Sequence, residues 1–263
     1  MEGLSITILK NSFQRRFVYK VNTLLNIFGT FITVFIQISL WKALYQGKGS
    51  ISNYTMSDMY VYIIINAILL PLTNSNVANK IGDKVTSGSI VIDLIRPISL
   101  KNYMFFEELG VNIYNVIFAI IPISFFVIIF KIGFNFNLVN LVIFLLSSVF
   151  GVILMYYFNY ILGLLAFWLK DSWYISWYSS ALFSLFGGVI IPLNFYPILL
   201  QKVSYLLPFR LITFEPINIL LNKNTLNQDI VIIILQIFWI LVFEVVQKII
   251  WKTAQKKIIV QGG

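Results

Sequence analysis

Residues 132–169 read IGFNFNLVNLVIFLLSSVFGVILMYYFNYILGLLAFWL, 38 consecutive positions without an acidic or basic side chain. An α-helix needs about 20 apolar residues to cross a hydrocarbon core of roughly 30 Å. The stretch therefore holds a membrane span with residues to spare, and its beginning, Ile132 to Asn137, is assigned to the preceding turn. Five more uncharged runs accompany it: Val21 to Trp41, Met59 to Asn79, Leu109 to Phe130, Ser172 to Gln201 and Ile230 to Phe243. All are apolar on every face, whereas the strands of a membrane barrel alternate over about ten residues. The reading is an all-α polytopic membrane protein with six transmembrane helices, at about 22–45, 59–79, 108–130, 138–169, 172–194 and 229–251.

Composition agrees with that reading. Of 263 residues, 59% are hydrophobic and 11% charged, which leaves no sequence for a separate soluble domain. About twenty mixed residues precede the first run, so it is expected to stay as a span and not to be removed as a signal. Cysteine and histidine are both absent. Disulfides, thiol chemistry, the commonest metal ligand and the commonest general base go with them. No glycine-rich loop ends in Gly-Lys-Ser or Gly-Lys-Thr, so the chain has no nucleotide site of that kind. Glu107, Glu108, Lys170 and Asp171 are placed at water interfaces, Glu244 within reach of Lys248, and no ionisable group is placed at the midplane.

Lysine and arginine set the expected orientation. Thirteen of the 19 fall on the face that carries both termini, including Lys10, Arg15, Arg16 and Lys20 before the first span and Lys248, Lys252, Lys256 and Lys257 after the last. Both termini are thus expected to be cytoplasmic. The net charge of +9 reads as attraction to an anionic membrane surface and not to nucleic acid.

Four connecting features stand out. Residues 1–20 place Ile6, Leu9, Phe13 and Phe17 on one face, the pattern of a helix lying in the interface. Residues 80–97 contain Thr86-Ser87-Gly88-Ser89, then Ile90, Ile92, Leu94 and Ile95 before Pro97, a short helix expected to rest against something. In the fifth span, Ser176, Ser180, Ser184 and Gly188 recur every four residues, as stripes that let helices approach in lipid do. Between the fifth and sixth spans, 195–228, prolines 197, 208 and 216 break apolar pieces into re-entrant helices at the external side.

Taken together, the amphipathic start, the six spans, Ser87-Gly88 followed by Arg96-Pro97, and the piece with Pro208, Phe209, Glu215 and Pro216 resemble the membrane subunit of a type-2 ABC exporter. The resemblance covers the whole chain and is nearest to permeases of roughly this length whose ATPase is a separate chain. It implies two ATPase subunits that hold ATP and Mg, a second permease of the same or a similar kind, and no cofactor in this chain. It further implies a cytoplasmic coupling helix over 80–97, with Lys80, Asp83, Lys84, Thr86, Ser87, Gly88, Asp93 and Arg96 meeting the ATPase. Asn66, Asn74, Ser180 and Ser184 would line the path of an amphipathic, lipid-like, peptide or drug-like cargo. The high Ile, Asn and Lys content points to a bacterial cell membrane. Two other classes compete: a secondary transporter, which should show repeated halves, and a membrane-embedded lipid-processing enzyme, which would need convergent acids, bases or nucleophiles.

Overall fold

The computed structural model describes residues 2–134, 136–169 and 174–257. Apart from one two-residue hairpin, β1 (Ser50–Ile51) with β2 (Tyr54–Thr55), its regular structure is helical. The chain begins with α1 (Glu2–Arg15), α2 (Lys20–Leu44), α3 (Met56–Thr73), α4 (Val77–Thr86) and α5 (Ile90–Leu94). It continues with α6 (Leu100–Ile129), α7 (Leu138–Leu164), α8 (Ile175–Phe186), α9 (Ile198–Leu206), α10 (Phe214–Leu220) and α11 (Leu226–Ala254). The turn that contains Lys170, Asp171 and Ser172 lies outside the described residues.

Among the described residues, five helical stretches are long and apolar enough to cross a membrane: α2, α3 with α4, α6, α7 with the turn after it, and α11 with the turn after it. The expected fifth span differs. Helix α8 has 12 residues, a rise of about 18 Å, and its helix stops at Phe186 instead of running to Asn194. Gly187 and Gly188 end it. Gly188 has φ +70, the left-handed conformation that glycine adopts without strain and that helix C-termini use.

A helix that stops inside a bundle leaves carbonyls without donors. Here neighbouring side chains supply them. Thr213 Oγ1 donates to the Gly187 carbonyl at 2.8 Å, Tyr62 OH to that of Gly188 at 2.5 Å, and Asn66 Nδ2 to that of Val189 at 2.6 Å. The chain then turns back through α9, a 3-10 turn (Pro208–Leu211) and α10, in which all seven residues are buried.

This re-entrant piece reaches the middle of α7. A Cβ on Gly151, the central residue of α7, would lie 2.6 Å from the carbonyl oxygen of Ile212. Gln236 of α11 clamps the same level, its Nε2 donating to Leu211 O at 2.8 Å and to Ser147 O at 2.9 Å. Asn140 Nδ2 donates to Ile219 O at 3.0 Å. Arg210 and Glu215 form an ion pair that is buried in the re-entrant piece, with the guanidinium 4.3 Å from the Tyr205 ring centre. Charges are thus present well inside the protein, and they persist there because they are paired.

Toward the far end, Tyr54 OH donates to Asn218 at 2.5 Å and Lys223 reaches Asp58 at 2.7 Å, so the hairpin before α3 closes over α10. Gln236→Leu removes one donor from three buried acceptors, each of which costs about 1–3 kcal/mol when left unpaired. The variant is expected to unfold at a temperature several degrees lower in a detergent melt, while Gln228→Leu, at the exposed start of α11, changes stability by less than half as much.

Candidate functional site

The end of the bundle that carries α1 is organised by α6. Between α3 and α4 the helix breaks at residues 74–76, and two side chains one turn apart on α6 hold the break. Glu108 accepts from Ser75 Oγ at 2.8 Å and from the backbone N–H of Asn76 at 2.6 Å. Asn112 Nδ2 donates to the carbonyls of Leu72 at 2.9 Å and Asn74 at 2.8 Å. Glu108 was expected at a water interface. It is 6% exposed instead, both of its oxygens accepting hydrogen bonds from residues 75 and 76 of the break.

Beside it, Glu107 joins two other elements, lying 3.6 Å from Lys80 of α4 and 4.0 Å from Arg15 of α1. Helix α1 lies directly on α6. A Cβ on Gly110 would meet the carbonyl oxygen of Leu9 at 2.3 Å, so only glycine permits this crossing. Helix α4 lies on α7 in the same way, with a Cβ on Gly163 3.0 Å from Ala78 Cα.

Past α4 the chain turns at Gly88, φ +74, into α5. Asp93, 3% exposed, is clasped between Lys84 and Arg96, the latter at 3.2 Å. Arg96 also lies over Tyr103, 4.2 Å from the ring centre. The hydrogen bond to Tyr103, then the charges of Asp93 and Glu107, raise the Arg96 pKa, so the guanidinium stays charged across physiological pH.

The eight residues expected at a coupling surface therefore divide. Lys80, Lys84, Asp93 and Arg96 are engaged in ion pairs that fold the segment. Asp83, Thr86, Ser87 and Gly88 are exposed, together with Ile92 at 60% and Ile95 at 80%. Of the isoleucines expected to rest against something, only Ile90 is buried in this chain.

The four residues expected along a path are not brought together. Asn66 is buried and tethers the bend after α8. Ser180 is exposed and Ser184 half-buried on the outer side of α8, and it is Ser179 that packs inward, donating to Asn159 at 2.9 Å. Asn74 lines a groove of about 340 Å³ between α2, α3 and α6. Glu107 and Glu108, which organise this end with Asn112, were read from the sequence only as acids at a water interface, and Asn112 was not singled out, although Glu108 and Asn112 four apart already shared a helix face. A final cluster ties α6, α7 and α11. Glu244 accepts from Lys101 at 2.8 Å and Tyr157 at 2.6 Å and lies 3.0 Å from Lys248.

A family model described as ABC-2 family transporter protein matches residues 31–262. The chain belongs to that family. It is a membrane-embedded permease, and permeases of the ABC-2 family are transport subunits that associate with ABC ATPase subunits. The match starts within α2, so α1 lies before the matched part, while Gly110, the residue it rests on, lies within it. No curated protein matches the chain.

Gly110→Leu forces α1 off α6, an overpacking cost of about 1–3 kcal/mol, and trypsin is expected to cut at Lys10, Arg15 and Arg16 at least several-fold faster than in the parent. Asp93→Ala leaves Lys84 and Arg96 without their shared partner, and cleavage after Lys84 should accelerate in the same assay while cleavage at Lys10 does not change; Arg96 is no trypsin site because Pro97 follows it.

Proposed function

We propose that this permease acts as one half of an ATP-driven exporter in a bacterial cytoplasmic membrane, with two ATPase subunits seated against α5, the exposed tip of α4 and α1. The observation that carries this reading is the α4–α5 tip. Ile92 and Ile95 project from a segment whose own charges are spent on folding it, and an exposed isoleucine pair next to a left-handed glycine is a surface shaped for a protein groove. ATP and Mg belong to the ATPases, and this chain supplies no group for their chemistry.

The connections explain how a push at the tip travels. Helix α4 is joined to α1 and α6 through Glu107, and to the end of α3 through the break held by Glu108 and Asn112. Closure of the ATPases displaces α4, and α6 and α1 follow. In this reading α8 with residues 187–195 makes a sixth crossing, and both termini lie on the cytoplasmic side with Arg15, Lys80, Lys84 and Arg96. A second permease, a copy of this chain or a similar one, covers the outer side of α8. The cargo is amphipathic, because the bundle offers apolar and uncharged polar surface along its length.

The test is affinity purification of the tagged chain in mild detergent, with mass spectrometry and ATPase activity on the eluate. A Walker-motif ATPase is expected to co-purify, and Ile92→Asp with Ile95→Asp to lower its recovery at least tenfold, about 1.4 kcal/mol of binding, with the melting temperature of the permease unchanged. Equal recovery from the parent and the double variant would remove the α4–α5 tip as the docking surface.

A further inference from the structure

The groove between α2, α3 and α6 has polar walls within the uncharged stretches of these membrane-length helices. On α2, Asn26, Thr30 and Thr33 follow one another at helical spacing and all line it, opposite Asn115 of α6 and Asn74 at the end of α3. No lining residue is charged. Asn26 and Thr33 are exposed although they lie within the uncharged run, where hydrocarbon offers an amide nothing to bond. Among the described residues the side-chain amides of Asn26, Asn74 and Asn115 make no hydrogen bond.

Backbone carbonyls add to the unmet demand. Pro71 in α3 has no N–H for the carbonyl of Ala67, and Pro122 in α6 has none for that of Phe118. Ala67 and Phe118 both line the groove. The threonines contribute acceptors too, because each already donates within α2, Thr30 to Asn26 O and Thr33 to Gly29 O, both at 2.9 Å. The walls thus hold more acceptors than donors and no counter-charge.

We propose that this groove binds the head of an uncharged, hydroxyl-rich amphiphile whose apolar part lies along Leu25, Ile27 and Phe118. Hydroxyl groups donate to the carbonyls, the threonine oxygens and the amide oxygens, and accept from the amide N–H groups. A charged head would be desolvated there without a partner. The volume, about 340 Å³, is at the small end of the roughly 300–1,000 Å³ of small-molecule sites, and it suits a head the size of one sugar. Binding stands on the groove alone; that the bound amphiphile is cargo rests on the transport reading above.

The test uses the full chain in nanodiscs of phosphatidylcholine and phosphatidylglycerol, with a trace of glucosyl diacylglycerol that carries a diazirine on one acyl chain. After illumination, adducts are expected on residues 23–34, 67–74 and 114–119. Asn26→Leu with Thr33→Val should lower them at least fivefold, and unlabelled glucosyl diacylglycerol should compete where extra phosphatidylglycerol does not. Adducts spread evenly over α2 and α11, or displaced equally by both lipids, would overturn the proposal. So would a disulfide-linked dimer from Thr33→Cys, since the parent chain has no cysteine and such a dimer shows the groove filled by a second copy. The assay contains no ATPase, so its outcome is independent of whether one co-purifies.

Discussion

Everything in this structure answers to one constraint: inside a bilayer a backbone N–H or C=O that leaves a helix must find its partner within the protein. Among the described residues the chain leaves regular helix inside the bundle after α8 and between α3 and α4, and each time polar side chains of a neighbouring helix close the gap. Tyr62 and Asn66 of α3 take the carbonyls after α8, and Glu108 and Asn112 of α6 take the groups of residues 74–76. At about 1–3 kcal/mol for each buried group left unpaired, these few residues outweigh many lipid-facing leucines. The same logic makes Gln236 the pivot of the re-entrant piece, because one amide serves α7 and the turn before α10 together.

Charge is deployed differently at the two ends. In the re-entrant piece Arg210 and Glu215 neutralise each other out of water, a pair whose disruption would leave a buried charge behind and is costly for that reason. At the α1 end the pairs are partly exposed and individually weak. Their role is geometric. Glu107 and Asp93 each contact two cations from different segments, so α1, α4, α5 and α6 share one arrangement instead of four independent ones.

The spans were legible in the sequence because lipid demands length and apolarity over a whole run, and α2, α3, α6, α7 and α11 satisfy that demand locally. Helix α8 was misjudged in extent for the same reason. Residues 187–194 are as apolar as a span, and only the tertiary bonds from Thr213, Tyr62 and Asn66 show that they are not helical. The segment 80–97 was legible as a short folded unit from Gly88 and Pro97, but the inward turn of Lys84 and Arg96 toward Asp93 depends on Tyr103 and α6, which spacing along the chain does not reveal. Among polar residues within the spans, Asn66 was assigned to a path instead of to the Val189 carbonyl and Asn112 and Gln236 were passed over, since an isolated Asn or Gln gives no sign of which distant carbonyl it serves.

Helix α2 is fastened unevenly. Its buried residues are Thr23, bonded to Tyr114 at 2.9 Å near one end, and Val34, Ile38 and Trp41 toward the other. Between them lie Gly29, with nothing within 4 Å of where a Cβ would be, and two threonines whose hydroxyls bond back to the preceding turn, an arrangement that softens and bends helices. The middle of α2 therefore behaves as a bowstring strung across the groove. It can flex outward to admit or release an occupant while both of its moorings, and the helices packed behind them, stay where they are.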